Sequence, residues 1–264
     1  MTIIITGTSA GIGFALAEYF GQKGNQVFGL SRKSVASPHF KTIVTDITDS
    51  QQIKNAVSEI LKTEKNIDLL INNAGMGMVG AVEDSSQEEI LKLFNLNLVG
   101  SVQMMTAVLP KMRDQKSGKI INISSIGSEM GLPFRGFYSA SKSALDKVTE
   151  AIRYEVSPWN IEVCSLHLGD IKTNIAENRV KTKVSEPYQK TFEKVYALMN
   201  AHVNEGTEPV EVASFIEKLL KKNTWKAHYY FGKFGQKIGI PLKWILPQNF
   251  YENLMRKYNR LDKK

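Results

Sequence analysis

Apolar positions along the chain follow two alternating patterns, and the alternation itself implies a fold. Short, nearly unbroken apolar runs occur at residues 3–6, 26–31, 42–45, 67–72, 119–124, 161–168 and 227–231. Runs of this length read as buried strands. Between them, apolar residues recur at helical spacing. The first such segment spans 13–21, with Phe14, Leu16, Ala17 and Phe20. A second, capped by Asp49 or Ser50, runs to about 63, and a long one covers 87–113 with Pro110 near its end. Others span 138–156, stopped before Pro158, a mostly helical stretch at 174–204, and 209–221. Apolar strands alternating with helices imply a parallel sheet covered on both faces, wound in both directions. No linker or internal repeat divides the chain, so 1–264 reads as a single domain. It carries a helical substrate lid at about 172–206 and a C-terminal extension at about 221–264.

Composition narrows the class. With 42% hydrophobic residues in 264, the chain is too apolar to be disordered. Its one cysteine, Cys164, excludes an internal disulfide framework and suits a reducing, cytoplasmic setting. His39, His167, His202 and His228 are scattered with no metal-ligand spacing, so no metal site is expected. The run Ile3-Ile4-Ile5 stops at Thr6-Gly7, which is strand length; no cleavable signal peptide and no membrane span of about 20 apolar residues is expected.

The net charge of +8 is unevenly placed. Residues 221–264 hold 11 Lys/Arg against 2 Asp/Glu, whereas residues 1–220 hold 23 against 24. Nine of the 24 aromatic residues also lie in that tail. Nucleic-acid binding is not expected, because no recognition motif accompanies the charge.

The first strand runs directly into Thr6-Gly7-Thr8-Ser9-Ala10-Gly11-Ile12-Gly13, and a helix follows. Glycines let the backbone turn tightly, and a helix N-terminus offers free N–H groups and a positive dipole end to a pyrophosphate. After the second strand comes Ser31-Arg32-Lys33, with no acidic residue to hold ribose hydroxyls. Arginine grips phosphate with two bonds, so this end suits the 2′-phosphate of NADP(H) better than NAD(H).

Tyr138 and Lys142 stand four residues apart, on one face of a helix. A free tyrosine, with a pKa of about 10, carries protons poorly near neutrality. A fixed positive charge nearby favours the phenolate, which would make the pair a plausible general acid/base.

With these residues the chain resembles the short-chain dehydrogenase/reductase family from Thr2 to about Thr173. The resemblance rests on Thr6-Gly7-x-x-x-Gly11-Ile12-Gly13, Asn72-Asn73-Ala74-Gly75, Asn97, Ser125 and Tyr138-x-x-x-Lys142, in order. It implies a Rossmann-type doubly wound sheet and a catalytic tetrad of Asn97, Ser125, Tyr138 and Lys142. The cofactor contacts it implies are Gly7, Thr8, Ser9, Gly11, Ile12, Gly13, Ser31, Arg32, Asp46, Ile47, Asn73, Ala74, Gly75, Tyr138, Lys142, Gly169, Ile171 and Thr173. Where the family has Pro-Gly after the sixth strand, this chain has Leu168-Gly169, which removes a φ constraint from that loop.

The activity so implied is hydride transfer between a nicotinamide and a carbonyl or alcohol carbon. Tyr138 would move the proton, Lys142 would lower its pKa and bind ribose, Ser125 would hold the substrate oxygen, and Asn97 would hold a water beside Lys142. Homodimers or homotetramers are the implied assemblies. A cofactor-binding regulatory or scaffold protein with little turnover is the alternative.

Met76, Met78, Met130, Leu132, Pro133, Phe134 and Phe137 are expected over the nicotinamide, with Val180, Val184, Phe192, Val195, Leu198 and Met199 in the lid. They point to an apolar substrate: lipid-, steroid- or retinoid-like. In the tail, Phe250, Leu254 and Tyr258 fall at i, i+4 and i+8 with basic residues around them. That stripe is expected to pack on protein, over the active site or another subunit, with an anionic membrane surface as the other reading.

Overall fold

The computed structural model describes residues 1–173 and 179–261. Its centre is a seven-stranded, wholly parallel sheet in the order β3-β2-β1-β4-β6-β7-β9. The strands are β1 (Thr2–Thr6), β2 (Gln26–Ser31), β3 (Lys41–Val44), β4 (Leu69–Asn72), β6 (Gly118–Ser125), β7 (Ile161–Leu168) and β9 (His228–Phe231). All seven correspond to the apolar runs in the sequence. A second, two-stranded sheet pairs β5 (Met78–Val79) with β8 (Val180–Lys181). Two residues each are too short to leave a pattern, and the sequence shows no sign of them.

Helices cover both faces. They are α1 (Gly11–Gln22), α2 (Ser50–Thr63), α3 (Gln87–Phe94), α4 (Ser101–Asp114), α5 (Gly136–Val156), α6 (Glu186–Asn204), α7 (Pro209–Leu220), α8 (Phe234–Ile245) and α9 (Gln248–Tyr258). Strand residues alternate between faces, so Ile3 and Ile5 pack with Leu16, Phe20 and Ile216 under α1 and α7. Ile4 instead packs with Ile53, Ile60, Met104 and Val108 under α2 and α4. The segment Gln87–Asp114 is apolar enough, by length and composition, to cross a membrane. Here Met104, Met105, Val108 and Met112 of that segment are buried in the core.

The sheet order reverses at β1 and β4. In doubly wound sheets a ligand crevice opens at such a point, beyond the C-terminal strand ends. The turn after β1 and the segment after β4 are held together there: Asn73 N and Ala74 N both donate to Thr6 Oγ1, at 3.0 and 2.9 Å, and Asn73 Nδ2 donates to the Thr6 carbonyl at 2.9 Å.

Two boundaries differ from the sequence reading. The lid helix begins at Glu186 rather than 174, since Val180–Lys181 is strand; residues 174–178 lie outside the described residues. The 87–113 helix is interrupted by a π-helical turn at Asn95–Gly100. Such turns often mark functional sites.

Candidate active site

The cofactor end is built by the turn between β1 and α1. Gly7 and Gly11 have φ of 76° and 58°, the left-handed region that glycine adopts without a Cβ penalty. Gly13 is required for a different reason. A Cβ there would lie 2.3 Å from the Gly7 carbonyl oxygen and 2.4 Å from Asn73 Nδ2. Ala10, the N-cap of α1, makes no side-chain cap bond, and the first turn has no acidic residue. Its leading N–H groups are thus left to a ligand anion. The turn fits a pyrophosphate.

Several expected contacts are placed by this turn in other roles. The Thr8 side chain is fully buried beneath Gly29, so Thr8 faces a ligand only through its backbone, beside exposed Ser9. Asn73 and Ala74 spend their donors bracing Thr6 and Gly7. Ile12 packs against the core under α1, and Ile47 lies in the core of the other face.

At the adenosine end, Ser31 Oγ donates to the Lys33 carbonyl at 2.7 Å and closes the loop after β2. Arg32 and Lys33 are exposed, and among the described residues neither forms an ion pair. Asp46 uses Oδ1 to hold Thr48 N and Oγ1, at 2.9 and 2.7 Å.

Across the crevice, α5 presents Tyr138 and Lys142 one turn apart, with Asp146 a further turn on. Lys142 is buried, and its Nζ donates to the Ile123 carbonyl of β6 at 2.9 Å. Burial lowers its pKa to about 8, with the Asp146 charge opposing. The π-helical turn aims Asn97 inward, where Oδ1 accepts from Met76 N at 2.8 Å and Nδ2 donates to Met76 O and Ser141 Oγ. Asn97 and Lys142 meet over Gly75: a Cβ there would lie 3.1 Å from Asn97 Oδ1 and 3.4 Å from Lys142 Nζ. Ser125, the last residue of β6, accepts from Gly127 N at 3.0 Å. Asn97, Ser125, Tyr138 and Lys142 thus converge from three separate elements.

The expected electrostatics of Tyr138 need correction. Burial raises the phenol pKa above its ordinary value. Hydrogen bonding with Ser125 and the charges of Arg135 and Arg179 work against that rise. Of the cations, Arg135 and Arg179 act most strongly on the phenol. Arg135 precedes Tyr138 by one helical turn, and its Nε is buried without a hydrogen-bond partner.

Two further contacts join side chains that the sequence holds far apart. His167 Nε2 and His228 Nδ1 meet at 2.9 Å on neighbouring strands, β7 and β9. Glu129 is near enough that the three could hold a metal ion. His228 Nε2 reaches Glu150 at 3.0 Å, and His167 Nδ1 lies 3.2 Å from the Ser125 carbonyl, so the pair braces the strand end that carries Ser125. Gln236 of α8 likewise binds both the backbone N and the carboxylate of Asp170. Gly169 is pressed against Gln236 and Gly232. Ile171 bridges to Thr207 through its neighbours' polar groups, with Lys172 N donating to Thr207 O and Thr207 N to Asp170 O. Its own N–H therefore points away from Thr207. Thr173 lies beside Gly11.

From Ser125 a cavity of about 260 Å³ extends under the lid and tail. Met130, Leu132, Val195, Leu198 and Met199 line it as expected, and so do Leu242, Leu254 and Met255 of the tail helices. Met76, Met78, Pro133, Phe134, Phe137, Val180, Val184 and Phe192, also expected, do not line it. Met78 is tied into the small sheet, and Phe192 stacks edge-on against Phe134 at 5.4 Å. Arg135, Asp170 and His202 supply its polar wall.

Known proteins resemble this chain in sequence and fold. The short chain dehydrogenase family model matches residues 1–184. The chain is 37% identical over 258 residues to a 3-ketodihydrosphingosine reductase of Bacteroides thetaiotaomicron, covering 96% of each. It is 34% identical to a probable short-chain type dehydrogenase/reductase of Helicobacter pylori, again over 96% of each. A short-chain dehydrogenase structure from Streptomyces avermitilis superposes with a TM-score of 0.82 at 25% identity, covering 99% of this chain and 98% of that one. Another from Burkholderia cenocepacia, in complex with NADP, does so at 0.76 and 26% identity over 96% of each. A family model that matches residues 1–184, with relatives at 37% and 34% identity over 96% of the chain, shows that this chain belongs to the short-chain dehydrogenase family.

Proposed function

We propose that this protein is an NADP(H)-dependent oxidoreductase that interconverts a carbonyl and an alcohol on a long apolar substrate. The observation that carries the reading is Ser125 at one end of an apolar cavity, hydrogen-bonded to Tyr138, with Lys142 one turn behind. When bound, the cofactor supplies or accepts the hydride. Ser125 then hydrogen-bonds the substrate oxygen, and Tyr138 gives its proton to that oxygen in reduction or takes it in oxidation. Tyr138 starts protonated, since burial raises its pKa, which suits the reductive direction. Lys142 holds the nicotinamide ribose, and Asn97 keeps a path from Lys142 toward solvent. The Gly7–Gly13 turn holds the pyrophosphate, and Arg32 holds the 2′-phosphate. The apolar lining, together with the named substrate of the Bacteroides relative, favours a lipid-like chain bearing the carbonyl near one end.

Tyr138→Phe tests the chemistry. The variant should bind NADPH as before and lose kcat by about 10²–10⁴-fold, the usual contribution of a positioned acid. Retained turnover on a panel of long-chain ketones overturns the role. Arg32→Ala tests the cofactor. It should weaken NADPH about 10- to 100-fold, as expected for a charge-assisted bond, and leave NADH unchanged. Equal affinities in the parent and variant overturn the preference. The cofactor-binding scaffold reading predicts the opposite of turnover: tight NADPH binding with no oxidation across the panel.

A further inference from the structure

The tail helices carry two apolar stripes, and one of them is left largely exposed. Along α9, Tyr251, Met255 and Asn259 turn inward. The Phe250, Leu254 and Tyr258 stripe, expected from the sequence to pack on protein, does so only in part: Leu254 and Tyr258 line the cavity, yet all three stay exposed, with Phe250 at 60%. On α8, Phe234 (74%), Trp244 (76%) and Ile245 (76%) project in the same unpartnered way. Nearly half of the large apolar side chains exposed anywhere on the described surface belong to these two helices. Isolated exposed apolar residues are ordinary, whereas a cluster on adjacent helices marks an interaction surface.

The charge around the cluster indicates what it meets. Lys233, Lys243, Arg256, Lys257 and Arg260 surround the stripes, and Glu252 is the one acid within α8 and α9. Lys243 Nζ sits 5.5 Å from the Trp244 ring centre. Two copies of so basic a face repel each other, while an anionic surface neutralises it. Trp and other large apolar residues flanked by lysines and arginines are the composition of a helix lying at a lipid interface.

The cavity opens on the same helices. Ile238, Leu254 and Tyr258 line it and are also exposed, so it meets the outside between α8 and α9. We propose that α8 and α9 dock this enzyme on an anionic lipid surface, with the cavity mouth against the bilayer. A lipid-like substrate then reaches Ser125 from the membrane without crossing water. No helix enters the bilayer core. Contact is through the Phe234, Trp244, Ile245 and Phe250 side chains and the surrounding cations.

Co-sedimentation of the full chain with vesicles tests this. Phosphatidylcholine vesicles containing phosphatidylglycerol should bring the protein down, phosphatidylcholine alone should do so far less, and binding should fall as salt rises. Arg256→Gln and Lys257→Gln should each weaken binding about fivefold, the usual effect of one cation near such a surface. The combined Phe234→Ser, Trp244→Ser, Ile245→Ser and Phe250→Ser variant should abolish it. Unchanged thermal unfolding and NADPH binding would show that this variant is folded, and none of the four residues lines the cavity. Three results overturn the proposal: no sedimentation of the parent chain with either vesicle, sedimentation of the fourfold variant like the parent, or a dimer in light scattering that the fourfold variant splits. The last assigns the face to a second copy. None of these measurements needs turnover, so they stand apart from the test of Tyr138.

Discussion

Lys142 shows at the scale of one residue how a site sets function against stability. Its ammonium is buried with Asp146 as the compensating charge, and its pKa falls to about 8 from an ordinary 10.5. Below pH 8 the group is charged in both folded and unfolded chains, so the penalty is fully present. Between pH 8 and 10.5 the folded protein sheds the proton first and the penalty fades. The difference corresponds to about 3 kcal/mol. Lys142→Met should therefore remove a rise in stability of that order between pH 8 and 10.5, read as the difference between parent and variant denaturation curves. Parallel curves would show that the ammonium is not buried. The spacing of Tyr138 and Lys142 was visible in the sequence. Of the cations that act on the phenol, Arg135 stands one turn before it, whereas Arg179 was hidden, because it reaches the phenol only across a fold of 41 residues.

At the scale of elements, the decisive contact is between the β1–α1 turn and the segment after β4. Gly13 allows α1 to start directly behind Gly7, with Asn73 closing the gap. Gly13→Ala should force the two apart, costing about 1–3 kcal/mol as other overpacked sites do, and should lose most cofactor affinity. Calorimetric titration with NADPH and a melting curve measure both, and unchanged affinity would show that the turn tolerates a wider approach. The glycine positions are legible as a motif. The π-helical turn at Asn95–Gly100 is not, because a one-residue change of hydrogen-bond register leaves the apolar spacing nearly intact. The same limit applies to α9. Two adjacent apolar stripes share one helix, and periodicity cannot say how much of each finds protein to cover it.

At the scale of the molecule, the cavity is a joint product of the sheet end, the lid and the tail. Gly239 of α8 faces into it, where an added Cβ would meet only Met130 Cε at an ordinary 3.9 Å. Gly239→Leu should fill that space without disturbing the fold, since leucine favours a helix over glycine by about 1 kcal/mol. KM should rise for long-chain substrates and stay level for short ones. An equal effect on both would place the substrate chain elsewhere. The uneven charge also acts at this scale: residues 1–220 are near neutral, and the basic excess lies in residues 221–264, which include the helices around the cavity mouth.

By itself the sequence determined the strands, most helices, the phosphate turn and the Tyr–Lys pair, because each is written in local spacing: period, run length, or residues one turn apart. Only the tertiary structure decided which distant side chains meet. It brought His167 to His228, Gln236 to Asp170, and Arg135 and the tail to the cavity wall. These contacts depend on how elements far apart in the chain stack on one sheet, and local periodicity holds no record of that.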